Sequence, residues 1–79
     1  MQLIKVTNAV YVVDYKIEIT FNDGLKKIID LENQLWGEVF EPLKNLTIFK
    51  NFSLNPFTIE WENGADFAPE FLYDISLKK

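Results

Sequence analysis

From Tyr15 to Phe21 the chain alternates without a break, with Ile17, Ile19 and Phe21 on one side and Lys16, Glu18 and Thr20 on the other. A period of two marks a half-buried antiparallel strand, because successive side chains leave opposite faces. Asn22-Asp23-Gly24 follows, and Leu25 to Leu31 returns. Two closures compete for this turn. A two-residue Asp-Gly loop sets Phe21 against Lys26 and points Lys26, Ile28 and Asp30 at the core. A three-residue loop with Gly24 left-handed sets Phe21 against Leu25, Ile17 against Ile29 and Tyr15 against Leu31, with Lys16 across from Asp30 on the wet face. Slipping by one residue exchanges the two faces, so the apolar pattern selects the three-residue loop and predicts positive φ at Gly24.

The residues before this hairpin are β-formers as well. Leu3-Ile4-Lys5-Val6 and Val10-Tyr11-Val12-Val13 are separated by Thr7-Asn8-Ala9, and read either as one bulged strand or as two short ones. A second hairpin is expected from Phe52-Ser53-Leu54 and Phe57-Thr58-Ile59-Glu60-Trp61. A tight closure at Asn55-Pro56 would put Phe52, Leu54, Phe57, Ile59 and Trp61 on one face. Phe40, Phe49, Phe52 and Phe57 are expected in the core.

Between the hairpins the pattern breaks up. Glu32 to Gly37 reads as a short helical turn ending at Gly37. Val39, Phe40 and Leu43 then keep helical spacing until Pro42 interrupts it, which favours broken turns over the sheet rather than one helix. Leu46, Ile48 and Phe49 continue that apolar cover. After the Glu62-Asn63-Gly64-Ala65 turn, Asp66 or Ala68 precedes a short C-terminal helix with Pro69 in its first turn and Glu70 near its positive end. Phe67, Phe71, Leu72 and Ile75 would face the sheet. Residues 1–79 thus read as a single α+β domain. Its mainly antiparallel sheet would have four or five strands in two hairpins, covered on one face by short helical segments and a short C-terminal helix.

A chain of 79 residues is close to the lower limit for a self-sufficient core, and this one compensates with 48% hydrophobic residues including seven Phe, three Tyr and two Trp. Self-association as a homodimer is a further way to gain burial. The chain has no Cys, His or Arg. That removes thiolate chemistry, the usual base near neutral pH, the commonest transition-metal ligand and bidentate guanidinium recognition. No catalytic, cofactor-binding or metal-binding residue is assigned. The net charge is −4 and the lysines are scattered, ending with Lys78-Lys79, so no basic stripe follows a phosphate backbone and no nucleic acid is expected. No apolar run reaches membrane-spanning length and no signal peptide is evident, which makes the cytoplasm the expected compartment.

Four segments carry a family resemblance. Asp14-Tyr15 through Phe21-Asn22-Asp23-Gly24, Ile29-Asp30-Leu31, Gly37-Glu38-Val39-Phe40-Glu41-Pro42-Leu43, and Trp61-Glu62-Asn63-Gly64-Ala65-Asp66 with Pro69-Glu70 and Leu72-Tyr73 resemble, in that order, the small bacterial proteins grouped as domain of unknown function 2442. The resemblance implies an α+β fold and supplies no catalytic residue. Longer relatives continue into a helix-turn-helix, whereas this chain ends six residues after Tyr73 and is expected to lack it. Relatives are often encoded beside another small family of unknown function, number 4160, in an arrangement resembling toxin–antitoxin pairs.

The candidate partner or ligand surface comprises Trp36, Trp61, Asn63, Asp66 and Glu70. Asp66, Glu70 and Asp74 are spaced by four and could line up on one helix face, as Glu60 and Glu62 could on a strand. The ordinary reading of such carboxylates is a solvated face. Trp61 reads first as a core residue ending a hairpin, and Trp36, beside Gly37, as the more exposed of the two tryptophans. Two roles follow. One is a non-catalytic protein-interaction module meeting a small basic protein encoded nearby, as the neutralising or regulatory half of a two-protein system. The other is a small ligand-binding or weakly catalytic domain with a polar pocket near Asn63 and Asp66.

Overall fold

The computed structural model describes residues 3–77, so Lys78-Lys79 lie outside the described residues. Three antiparallel strands, β1 (Val6–Val13), β2 (Lys16–Phe21) and β3 (Lys26–Asp30), form the main sheet in the order β1-β2-β3. The β2–β3 turn adopts the three-residue closure: Ile17 lies opposite Ile29 and Lys16 opposite Asp30, with Gly24 at φ 93°. The Phe21 N–H donates to the Leu25 carbonyl at 2.8 Å, and the Asp23 side chain accepts from the Leu25 N–H at 3.0 Å. An Asx turn therefore reinforces the register that the apolar pattern selects.

β1 is one strand with register shifts between Val6 and Asn8 and between Tyr11 and Val13. The two irregularities absorb its lack of clean alternation, keeping Ala9 opposite Ile19 and Tyr11 opposite Ile17. Ile17, Ile19, Phe21, Ile29 and Leu31 thereby share a buried face.

The second hairpin departs from expectation. β4 (Ser53–Leu54) and β5 (Ile59–Glu60) form a separate two-stranded sheet instead of extending the first to four or five strands. Leu54 pairs with Ile59, so residues 55–58 form a four-residue loop in place of a tight Asn55-Pro56 turn. The cause is the Asn55 carboxamide, which accepts from the N–H groups of Phe57 and Thr58, both at 2.8 Å. This loop carries Phe57 out to 56% exposure, so Phe57 is not a core residue. Thr58 is buried instead, and its hydroxyl donates to the Phe67 carbonyl at 2.7 Å. Leu54 is exposed as well, so the expected apolar face of this hairpin reduces to Phe52, Ile59 and Trp61.

The cover over the main sheet consists of two 3-10 segments, Glu32–Gln34 and Glu38–Lys44, followed by α1 (Leu46–Phe49) and α2 (Pro69–Ser76). Gly37 starts the second 3-10 segment rather than ending the first, at φ 94° and ψ 159°, a conformation essentially restricted to glycine. Asn45 caps α1 by accepting from the Thr47 N–H at 2.9 Å. Leu46 and Ile48 face outward, so α1 gives only Phe49 to the core, contrary to the expected continuous cover. Phe49 meets Tyr15 edge-on at 5.2 Å and Trp61 at 5.8 Å. Trp61 is 2% exposed, and its indole N–H donates to the Phe49 carbonyl at 2.9 Å, satisfying a donor that would be costly to bury alone.

Candidate functional site

Leu35 is buried, and the turn leading to Gly37 leaves the next side chain, Trp36, 72% exposed. Trp36 thus stands largely uncovered at the corner between the two 3-10 segments. It borders a concavity of about 300 Å³ whose other walls include Phe40, Asp66, Phe67 and Phe71. The floor is a run of stacked rings. Phe40 lies on Phe67 at 4.8 Å and 22°, and Phe67 on Phe71 at 5.8 Å and 12°. Phe67 also meets Trp61 edge-on at 5.8 Å, so the run is rooted in the core and opens outward.

Phe71 was expected to face the sheet and is 38% exposed instead. The reason is the position of α2. Leu72 takes the fully buried position and Phe67, before the helix, occupies the space beneath Phe71. Helical spacing groups such residues on one face but does not say how far the sheet extends beneath them.

Asp66 stands at the groove with an exposed carboxylate. Among the described residues this carboxylate forms no hydrogen bond or ion pair. Its backbone forms an isolated bridge with Glu60, which places Asp66 on extended chain ahead of α2. Asp66, Glu70 and Asp74 therefore do not line one helix face, and the residue preceding α2 is Ala68, which makes no side-chain cap. Glu62 borders a different concavity from Asp66, so these carboxylates do not converge. Among the described residues there is no group of three or more acidic side chains able to hold a metal ion.

Charge is unevenly divided along the chain. Residues 1–30 carry four lysines and four carboxylates, while residues 31–77 carry two lysines and eight carboxylates. One of those two, Lys44, is paired with Glu41 at 3.1 Å. The segments that build the groove belong to this acidic part.

The second concavity, about 400 Å³, is bordered by Thr47, Ile48, Asn51, Trp61, Glu62 and Asn63. Trp61 and Asn63 meet here, but their polar atoms are already engaged. The Asn63 amide donates to the Val39 carbonyl at 2.9 Å, and its oxygen accepts from the Ala65 N–H at 3.1 Å. Asn63 thus shapes the Gly64 turn and fastens it to the second 3-10 segment. Asn63 and Asp66 border separate concavities, with Trp36 beside Asp66 and Trp61 beside Asn63.

One polar contact escaped the sequence reading. The Tyr73 hydroxyl donates to the Asp23 carboxylate across 50 residues, linking α2 to the β2–β3 turn. That hydrogen bond, with a second from the Leu25 N–H, holds the Asp23 carboxyl below its ordinary pKa. The same bond to Asp23 raises the Tyr73 phenol above its ordinary value. Both groups are at the surface, so the pair acts as a fastening, and nothing in its geometry suggests a reactive centre.

Among the described residues no helix is long and apolar enough to cross a membrane. Comparison with curated proteins and with solved structures gives no match. The family model described as protein of unknown function (DUF2442) matches residues 6–77, a span that includes both hairpins, the groove and α2, and the chain belongs to that family.

Proposed function

We propose that this domain is a non-catalytic protein-interaction module that docks its partner on the Trp36 groove. The observation that carries the reading is Trp36, largely exposed and bordering a concavity lined by stacked phenyl rings that run into the core. Tryptophan is enriched among interface anchors, and surrounding it with a partner removes a large ring from water. The side-chain inventory supports the same reading, since the chain offers no histidine, cysteine or arginine for ordinary catalysis.

In its more specific form, the domain is the neutralising half of a toxin–antitoxin-like pair in the cytoplasm, and its partner is a small basic protein encoded nearby. Co-expression of the two products tests this. Co-purification together with relief of toxicity is the expected result, and failure of both overturns the pairing. Mass in solution with and without the partner separates this form from a homodimer.

A second reading has one observation in its favour: the concavity beside Asn63 falls within the size range of small-molecule sites, about 300–1,000 Å³. Thr47, Asn51 and Glu62 are the side chains that would orient a ligand there. Protection of the Thr47 and Asn51 signals by a small molecule, with Trp36 unaffected, would favour this site over the groove.

A further inference from the structure

We propose that the groove receives a cationic side chain, a lysine or arginine carried beside an apolar anchor on the partner, with the cation seated between the Trp36 indole face and the Asp66 carboxylate. This partner chemistry rests on the groove being the docking surface.

Two aromatic rings elsewhere in the chain already have a lysine above them. Lys5 lies 5.8 Å from the Phe57 ring centre, and Lys50 lies 5.8 Å from that of Tyr11. Both distances suit attraction between a cation and the negative face of a ring. Trp36, whose indole is the strongest such acceptor and which is more exposed than Phe57, has no lysine over it among the described residues. Nor does the sequence supply one locally, since no lysine occurs in residues 28–43 or 51–77.

The carboxylate beside the groove points to the same class of ligand. Asp66 makes no hydrogen bond or ion pair among the described residues, and Glu32, Glu38 and Glu70 lie in the flanking segments. An anionic peptide, a nucleic acid or an anionic membrane would meet this charge unfavourably. An N–H-bearing cation can satisfy both features at once, donating to Asp66 while its charge lies over the indole. A quaternary ammonium could use the ring but not the hydrogen bond, so ammonium or guanidinium is preferred. The stacked floor of Phe40, Phe67 and Phe71 accounts for the apolar anchor.

The two tryptophans make the test internal. The full chain, nitrogen-15 labelled, is titrated with acetyl-Leu-Lys-Leu-amide and separately with acetyl-Leu-Glu-Leu-amide, following both indole N–H signals. The lysine peptide is expected to move the Trp36 signal saturably and leave Trp61 in place. Asp66→Asn is expected to weaken that binding about two- to fivefold, and salt should weaken it further. Equal response to both peptides, no response, or an unchanged affinity in Asp66→Asn overturns the cationic assignment. The docking surface is tested separately by acrylamide quenching of Trp36 in the co-purified partner complex. Protection there with failure of the peptides removes only the cation, whereas an accessible Trp36 in the complex removes the groove as well.

Discussion

The two tryptophans should respond to truncation in opposite ways. Trp61 is 2% exposed, donates to the Phe49 carbonyl and touches the rings of Phe49, Phe52 and Phe67. Removing a buried tryptophan to alanine costs about 3–5 kcal/mol. At about 0.05–0.15 kcal/mol per residue, a domain of 79 residues has only about 4–12 kcal/mol in total, so Trp61→Ala should remove about a quarter of it or more. Trp61→Phe keeps most of the ring but leaves the Phe49 carbonyl without its donor. About 1–3 kcal/mol is then expected, and in a domain of this size each kcal/mol lowers the melting midpoint by about 4–8 °C. Trp36 is 72% exposed and has no ring contact among the described residues, so Trp36→Ala should stay within about 0.5 kcal/mol of wild type. Far-ultraviolet circular dichroism during heating reads all three variants without relying on tryptophan emission. A wild-type midpoint in Trp61→Phe, or a loss above about 1.5 kcal/mol in Trp36→Ala, would refute this division of roles.

Other expectations follow from single residues. Gly24 sits at φ 93° and Gly37 at φ 94°, with open space where a Cβ would project, so alanine at either should cost about 1–3 kcal/mol through backbone conformation alone. Equal urea midpoints for Gly24→Ala and wild type would contradict the three-residue turn. Asn63→Ala removes the bonds to Val39 and Ala65 and should lose about 1 kcal/mol while speeding amide exchange through the Gly64 turn. The Asp23–Tyr73 bond sets a pH window. The folded state depresses the Asp23 pKa from 3.8, so its contribution is present above pH 3.8 and is lost as pH falls through the lower folded value. Tyr73 is raised from 10.0, so its contribution is present below pH 10.0 and is lost as pH rises through the higher folded value. Tyr73→Phe should flatten both limbs of a stability–pH profile, and an unaltered acid limb would show that the bond contributes nothing in solution.

How far the sequence could be read differed between the two hairpins. In the first, strict alternation and the Asn-Asp-Gly turn agreed, and a register slip would have put Lys26, Ile28 and Asp30 on the core face in place of Leu25, Ile29 and Leu31. In the second, the Asn55 side chain captured two backbone N–H groups and lengthened the loop, a local competition invisible to period-two counting. Only two rungs of pairing resulted, and Phe57 moved outward. Among the candidate surface residues, Trp36 was readable as exposed from its place beside Gly37, and Trp61 as a core residue from its place at a strand end. The groove itself was not readable, because Phe40, Phe67 and Phe71 come from separate elements and each had an ordinary core explanation. The lysine-free stretches around them were the available signal.

The most direct measurement of the docking surface uses Trp36→Ala, provided that it melts with the wild-type midpoint. Tagged wild-type and variant chains are each co-expressed with the product of the neighbouring gene, and the affinity of the recovered complexes is compared. Loss of an anchor worth about 2 kcal/mol or more should weaken the variant complex on the order of thirtyfold. Retention of the partner by Trp36→Ala with wild-type affinity would contradict the assignment of this groove as the interaction surface.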